Sequence, residues 1–357
     1  MRGWFERGLA LLALSAAFAP RAALAEAPPI EVQEVADTGS MPKGALLARD
    51  GSRFFVTNFG NRNGGNVTVY DVTTLRRLAT IDVPGIVVES VLSPDGATLY
   101  VSNFERNEVQ AVDLATRRVK REFAAGLHPK VMVISADGGA LFAANWSGES
   151  VTQIDTSTGK TVRTLPVGLH PRGMALTRAG KLYVANFDGA SIDVFDGPEY
   201  GHVYRLAVCA IPRHLALSPD EKTLYISCYH DSEVHALDLA TELVTHRVKV
   251  GANPKSLEVT RDGRYVFSAD YGEDAHGVTV VDTTDWTARI FSIPGMDRGS
   301  GVAIAPDGQH ALVTGWYDNH VYLVGFEGTG GHPADAMKRI QGWARHPHYH
   351  PPKAAGE

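Results

Sequence analysis

The sequence is poor in cysteine, in long apolar runs and in charge of one sign, and each shortage excludes a class of protein. Two cysteines in 357 residues cannot build a disulfide framework, and without a C-x-x-C-H motif the chain has no site for covalent haem attachment. Lysine and arginine number 34 against 40 acidic residues, a formal charge of -6, so no nucleic-acid partner is expected. Any anion site must therefore be local.

The first 25 residues have the composition of an export signal. Arg2 and Arg7 precede an apolar run over residues 8–19, and small residues at 23 and 25 suit signal peptidase. The run is shorter than the roughly 20 residues that cross a bilayer as a helix, so no membrane span is expected. We predict a cleaved signal peptide over residues 1–25 and a periplasmic or secreted protein, with an uncleaved anchor as the alternative.

A turn of the Ser-Pro-Asp-Gly type recurs seven times in the body of the chain, at intervals of 41 to 45 residues. The seven copies begin at Ala48, Ser93, Ser135, Thr177, Ser218, Thr260 and Ala305. An alternating apolar strand that ends in an aromatic residue follows each turn, and further short strands follow it. Short strands at this spacing, without a helical period, predict the four-stranded blade of a β-propeller.

Seven copies predict an all-β, seven-bladed propeller over residues 26–326. The last copy ends near Phe326 with three strands, whereas residues 30–35 form an isolated strand at the start of the mature chain. We expect this N-terminal strand to complete the last blade, because an open ring would leave an unpaired sheet edge. Residues 327–357 are rich in Gly, His and Pro and are predicted to form a tail with a short helix over 334–344.

Three of the repeated strands carry a family resemblance. Residues 55–58 (Phe-Val-Thr-Asn), 100–103 (Tyr-Val-Ser-Asn) and 183–186 (Tyr-Val-Ala-Asn), with their turns, resemble the bacterial YVTN-type β-propeller repeat over about residues 30–326. The resemblance implies the fold and a bacterial exported protein, but no single activity. Its architecture is shared by surface-layer proteins, lactonase-like enzymes and propeller subunits of periplasmic redox systems.

Basic residues stand in register at the entry to the innermost strand of five predicted blades. They lie five residues before each turn, at Lys43, Lys130, Arg172, Arg213 and Lys255. Blade two has Val88 beside Glu89, and blade seven has Arg298, displaced by two residues. If these side chains converge, they form a basic axial mouth for an anionic small molecule or an acidic protein partner. The alternative is that each cation reaches solvent or pairs with an aspartate.

Histidines supply a second hypothesis. Six of the 14 should lie on or near the same face: His128, His170, His214, His230, His276 and His320. Convergence of the first four would create a transition-metal site. His170, His214 or Glu89 could instead move a proton in a propeller enzyme. The Gly-Leu-His-Pro loops that contain His128 and His170 are also explained by turn formation alone.

The two cysteines fall in predicted blade five, Cys209 in its entry loop and Cys228 near the end of its second strand. An exported compartment is oxidising, so we predict a disulfide between them. The alternative is a thiolate pair that binds metal together with His214 and His230.

Three functions are compatible with these features. The first, which we predict, is a monomeric binding or interaction propeller with a basic axial mouth for an anionic ligand. The second is a lactonase-like or lyase-like enzyme that acts on a carboxylated substrate. The third is a metal-binding accessory of a periplasmic redox system. The sequence has no Gly-rich phosphate loop, G-x-S-x-G elbow or H-E-x-x-H motif to favour a known catalytic class.

Overall fold

The computed structural model describes residues 30–326 except Asn63, Asp274 and Ala275. These residues form 28 β-strands and no helix, and so they include no helical segment that is long and apolar enough to cross a membrane. The predicted signal peptide over residues 1–25 and the predicted tail over residues 327–357 lie outside the described residues.

The strands follow one another at short intervals along the chain. The first ten are β1 (Ile30–Asp37), β2 (Pro42–Leu47), β3 (Arg53–Asn58), β4 (Val67–Asp71), β5 (Arg77–Ile81), β6 (Val87–Leu92), β7 (Thr98–Asn103), β8 (Glu108–Asp113), β9 (Arg118–Ala124) and β10 (Pro129–Ile134). The next nine are β11 (Ala140–Asn145), β12 (Ser150–Asp155), β13 (Thr161–Pro166), β14 (Pro171–Leu176), β15 (Leu182–Asn186), β16 (Ser191–Asp196), β17 (Gly201–Ala207), β18 (Pro212–Leu217) and β19 (Thr223–Cys228). The last nine are β20 (Glu233–Asp238), β21 (Leu243–Lys249), β22 (Pro254–Val259), β23 (Tyr265–Asp270), β24 (Gly277–Asp282), β25 (Thr287–Ser292), β26 (Gly299–Ile304), β27 (His310–Gly315) and β28 (His320–Phe326).

The strands form seven antiparallel sheets of four strands each, which are the blades of a propeller. Blades one to six each consist of four consecutive strands, from β2–β5 to β22–β25. Blade seven has the order β1-β28-β27-β26, with Ile30 opposite Phe326 and Asp37 opposite His320. The N-terminal strand therefore closes the ring and removes the free edge of the last blade. The predicted seven-bladed, all-β architecture and its closure are confirmed.

The first strand of each blade lies nearest the axis. These inner strands are β2, β6, β10, β14, β18, β22 and β26, and each contacts the next around the ring, including β26 with β2. Glycines allow this close approach. A Cβ on Gly301 would lie 2.5 Å from the carbonyl oxygen of Lys43, and one on Gly173 would lie 2.8 Å from that of Arg213. The axis is therefore narrow, and side chains at the start of the inner strands face one another.

The apolar core lies between blades. One cluster joins Phe267 and Val280 of blade six to Val302, Val313 and Tyr322 of blade seven, all buried. A single blade exposes both faces of its sheet and buries them only against its neighbours. The spacing of the inner-strand side chains around the axis is consequently fixed by the packing of the whole ring.

Candidate functional site

Five of the six candidate cations line one cavity of about 240 Å³ on the propeller axis. They are Lys43, Lys130, Arg172, Arg213 and Lys255. Each is the second residue of its inner strand, in β2, β10, β14, β18 and β22. Lys43, Arg213 and Lys255 are only 5%, 7% and 5% exposed, so their charged ends face the cavity more than bulk solvent. We call this cavity and its five cations the axial mouth.

An aromatic residue directly follows the second strand of every blade and surrounds the cations. The seven members of this aromatic belt are Phe59, Phe104, Trp146, Phe187, Tyr229, Tyr271 and Trp316. The Nζ of Lys130 lies 3.4 Å from the ring centroid of Trp146, and the Nζ of Lys255 lies 3.8 Å from that of Trp316. The guanidinium carbon of Arg213 lies 4.7 Å from the ring centroid of Tyr229. The negative faces of these rings hold the cations in place of water.

The positive charge of the axial mouth is opposed mainly by one carboxylate. Glu89 Oε1 lies 3.9 Å from the Nζ of Lys43, and Glu89 acts electrostatically on all five cations. Within the described part of the chain, the lining of the cavity contains no acidic side chain. One carboxylate against five basic groups leaves an excess of positive potential, which a bound anion would offset.

Burial and mutual repulsion make protonation of the lysines unfavourable. Burial, followed by repulsion from Arg172, lowers the pKa of Lys43 to about 7 and that of Lys130 to about 4. Burial and then repulsion from Arg213 place the pKa of Lys255 well below its ordinary value. Burial also lowers the pKa of Arg172, to about 10, which leaves its guanidinium charged at neutral pH. Arg172 therefore holds its charge, while burial and repulsion from Arg172 also place the pKa of Arg213 well below its ordinary value. The lysines gain or lose protons with the contents of the cavity.

Arg298 does not line the cavity, contrary to the sequence prediction. Strand β26 begins at Gly299, so Ser300 takes the place that Lys43 has in β2. Arg298 precedes the strand, and its Nη2 lies 2.9 Å from Glu273 Oε1. The two-residue displacement in blade seven thus places this cation in the entry loop, where a glutamate neutralises it.

His128 and His170 lie on the outer side of the aromatic belt. Their rings stack on Phe104 and Trp146, with centroids 4.2 Å and 4.6 Å apart. The Nδ1 of His170 also contacts Asp188 Oδ2. Both histidines have positive φ angles, 57° and 50°, in the loops that enter β10 and β14. They support the belt and the turn at this position.

His214 and His230 differ in their surroundings and in their exposure to solvent. His214 lies on β18, where its Nδ1 accepts a hydrogen bond of 3.3 Å from the backbone N–H of Leu257, while His230 is exposed in the loop between β19 and β20. Among the residues described, none of the four histidines proposed as metal ligands belongs to a group of three potential ligands. The predicted metal site from these histidines is therefore not formed.

The three candidate proton carriers also do not act together. Glu89 lies against Lys43, and His170 lies at the rim. Burial, with repulsion from Arg213 as a further cause, lowers the pKa of His214 to about 4. In residues 30–326, as far as they are described, no hydrogen bond joins any two of the three candidates. Each of the three therefore stays a separate predicted candidate for moving a proton.

Cys209 and Cys228 form a disulfide in blade five, with Cα atoms 5.7 Å apart. Cys209 lies in the loop before β18, and Cys228 is the last residue of β19. The histidine beside the disulfide is His235 of β20, rather than His214 or His230. The disulfide thus anchors the loop that leads to Arg213.

Fold and site together define a closed seven-bladed β-propeller with a cationic axial mouth. Residues 90–324 match the family model described as YNCE-like beta-propeller, and the chain belongs to that family. The more specific YVTN-type designation stays a prediction from the sequence resemblance.

Two curated relatives and one solved structure are similar to parts of this chain. Antigen Lp49 of Leptospira interrogans is 24% identical over 255 residues, which are 66% of this chain and 56% of the relative. A 6-phosphogluconolactonase of Yersinia pestis is 25% identical over 181 residues, or 48% of this chain and 54% of the enzyme. The chain therefore spans about half the length of these curated relatives. A chain of Kuenenia stuttgartiensis hydrazine synthase superposes with a TM-score of 0.72 at 20% identity, covering 80% of this chain and 96% of that one, which shows similarity of fold.

Proposed function

We propose that this protein is a binding propeller that takes a small multivalent anion into its axial mouth. The observation that carries the proposal is the convergence of five basic side chains on one cavity with a single opposing carboxylate. A volume of about 240 Å³ is below that of drug-sized pockets. It suits a di- or tricarboxylate, a phosphorylated metabolite or the tip of an acidic segment of a partner protein.

The mouth offers two kinds of contact to such an anion. Arg172 and Arg213 present planar N–H donors that suit bidentate contact with carboxylate or phosphate. The lysines add point charges once they take up protons with the anion, and such charges act strongly in a cavity that excludes most water. Because ring contacts already hold the cations, little side-chain freedom remains to be lost on binding.

Calorimetry and thermal shift on the mature protein test the proposal directly. The anions to be tested are di- and tricarboxylates, pyrophosphate, sugar phosphates and a polyglutamate peptide. Comparing the peptide with the small molecules distinguishes an acidic protein segment from a small-molecule ligand. The Arg172→Met and Arg213→Met variants should each lose at least about 30-fold in affinity, as expected when one partner of a buried charge pair is removed. Lys222→Gln is the matched control, because this side chain is 79% exposed in the turn at the other end of blade five.

Two results would count against the proposal. One is that no anion in the panel stabilises either the wild type or the Lys222→Gln control. The other is that the arginine variants bind the ligand as tightly as Lys222→Gln does.

A second candidate function is an enzyme that acts on a carboxylated or lactone substrate. The similarity to a 6-phosphogluconolactonase favours it, as does the lowered pKa of Lys130, which provides an unprotonated amine beside the charged Arg172. In this candidate Arg172 orients the anion and Lys130 accepts a proton. Hydrolysis of a lactone panel, abolished by Lys130→Met and retained by Lys222→Gln, would support it, whereas absence of turnover in a protein that binds the same anions would reject it.

We also propose that the protein works outside the cytoplasm, in the periplasm or as a secreted protein. The export signal predicted over residues 1–25 supports this location, and so does the disulfide in blade five, because disulfides persist in oxidising compartments. Fractionation of cells that express the full chain tests it, since the mature protein should begin near residue 26.

A further inference from the structure

A small hydrogen-bonded group ties the entry loop of a blade to its second and third strands. In blade three, the backbone N–H of Gly126 donates to Asn145 Oδ1 at 3.0 Å, and Asn145 Nδ2 donates to Thr152 Oγ1 at 2.9 Å. Gly126 lies three residues before Pro129, the first residue of β10. Asn145 is the last residue of β11, and Thr152 is the third residue of β12. In blade six the corresponding residues are Gly251, Asp270 and Thr279.

Blade five places different chemistry at the same three positions. Cys209 stands where blades three and six have the loop glycine, Cys228 where they have Asn145 and Asp270, and His235 where both have the threonine. A ring nitrogen of His235 lies within 4.8 Å of both sulfur atoms. The hydrogen-bonded group of the neighbouring blades is therefore replaced by two sulfurs and an imidazole, which are all potential metal ligands.

The surroundings of His235 leave one of its ring nitrogens available to a ligand. Its side chain is only 6% exposed, and Nε2 lies 2.7 Å from Glu233 Oε2. The other ring nitrogen, Nδ1, is buried without a hydrogen-bond partner, which is exceptional for a buried polar atom. A carboxylate that holds one ring nitrogen and leaves the other free is the usual arrangement around a metal-binding histidine.

We propose that reduction of the disulfide converts Cys209, Cys228 and His235 into a site for a soft or borderline metal ion such as Zn²⁺ or Cu⁺. Two thiolates and one imidazole form a donor set that such ions prefer. Glu233 fixes the orientation of the imidazole through its contact with Nε2, the ring nitrogen that does not bind the metal. The site lies outside the axial mouth, and its occupancy does not depend on the anion proposed to bind there.

The disulfide between Cys209 and Cys228 can be opened with a phosphine as the reductant. A phosphine reduces the S–S bond with two electrons and becomes the phosphine oxide, while water supplies the oxygen atom and the two protons that convert the sulfurs to thiols. A divalent metal ion then displaces the two thiol protons and binds both thiolates. The Nδ1 lone pair of His235 completes three protein ligands without a further proton change, because Nε2 carries the proton toward Glu233.

Cobalt is the probe, because Co²⁺ replaces Zn²⁺ and absorbs characteristically when thiolates bind it. The full mature chain is unfolded in guanidinium with a phosphine, refolded under argon and titrated with Co²⁺. The reduced protein should bind one equivalent with a thiolate-to-cobalt charge-transfer band, and the thiols should become protected from a thiol reagent. This band distinguishes the site from the histidine-bearing tail at His346, His348 and His350, which has no thiolate.

Variants assign the ligands. His235→Thr should weaken Co²⁺ binding at least tenfold and Glu233→Gln roughly 10- to 100-fold, whereas the exposed His230→Ala is the matched control and should bind as the wild type does. The triple change Cys209→Gly, Cys228→Asn and His235→Thr rebuilds the group seen in blade three, so it should fold without the disulfide and show no charge-transfer band.

The proposal is overturned if reduced, refolded protein gives no charge-transfer band, or if His235→Thr binds Co²⁺ as tightly as His230→Ala. Circular dichroism of each refolded sample shows that a missing band belongs to a folded propeller. If reduction itself unfolds the wild type irreversibly while the triple variant stays folded, the cysteines serve only as a covalent tie, and the proposal fails by that route too.

Discussion

Anion binding in the axial mouth should draw protons into the protein. In the empty cavity Lys43 has a pKa of about 7 and Lys130 one of about 4, so at pH 7 the first is about half protonated and the second is neutral. A bound anion supplies opposite charge and so raises both pKa values, and the complex is fully protonated if they rise above about 8. The expected uptake at pH 7 is then about 1.5 protons from these two lysines, with Lys255 adding to it because its pKa is lowered as well.

The sign of the pH dependence follows from this uptake. Because the complex holds more protons than the separate partners, affinity falls as the pH rises from 7 toward the ordinary lysine pKa. An uptake of about 1.5 protons corresponds to at least about a 30-fold loss of affinity between pH 7 and pH 8. The ligand for this test should be a tricarboxylate that is fully ionised over the range, so that its own titration does not contribute.

Calorimetry in several buffers measures the uptake directly. The slope of observed enthalpy against the ionisation enthalpy of the buffer gives the number of protons bound, and cationic buffers such as imidazole and Tris do not compete for the mouth. Lys130→Met should lower the slope by about one proton, while Lys222→Gln should leave it unchanged. A slope of zero in the wild type, or one that Lys130→Met does not alter, would refute the electrostatic description of the mouth.

Two further predictions concern stability. Burial raises the pKa of Asp270 to about 7, so the stability of the fold decreases as the pH rises from about 4, the pKa of an unfolded aspartate, to about 7. Asp270→Asn, which introduces the residue that blades one to four have at this position, should stabilise the protein at pH 8 by up to about 4 kcal/mol, with the gain vanishing below pH 4 in urea titrations. An equal gain at both pH values would contradict the assignment to Asp270. Deletion of residues 26–37 removes β1 and its side chains Ile30 and Val32, which pack on the core of blades six and seven, so the unfolding free energy should fall by about 3 kcal/mol or more. An unchanged midpoint in urea would show that β1 does not close the ring in solution.

The repeats made the fold predictable, because each blade repeats one pattern of turn and strand. Seven copies fixed the number of blades, and the unmatched strand over residues 30–35 indicated how the ring closes. The same register predicted which five cations share one level on the inner strands. The prediction for Arg298 was wrong, because the spacing of residues in the sequence does not show that the inner strand of blade seven begins only at Gly299.

The aromatic belt and the group around Cys209 were less visible in the sequence. The aromatic residue after each second strand was present in register, yet the sequence does not show that its ring lies against a cation of the same blade, as Trp146 does with Lys130, or of the preceding blade, as Trp316 does with Lys255. The position of His235 beside the disulfide was not predicted, because His235 is 26 residues from Cys209 and 7 from Cys228 in the sequence. Only the pairing of β18, β19 and β20 brings the three residues together. The four candidate histidines do not converge, because His128 and His170 stack on Phe104 and Trp146, His214 is held on β18 and His230 is exposed.

A crystal structure with a heavy anion shows whether the axial mouth binds anions. Crystals of the mature protein soaked in tungstate or selenate, with anomalous data, locate the anion without assumptions about the natural ligand. We expect an anomalous peak in the axial mouth, within hydrogen-bonding distance of Arg172 and Arg213 and beside Lys130. Peaks confined to exposed lysines and arginines, with only water in the axial mouth, would contradict it.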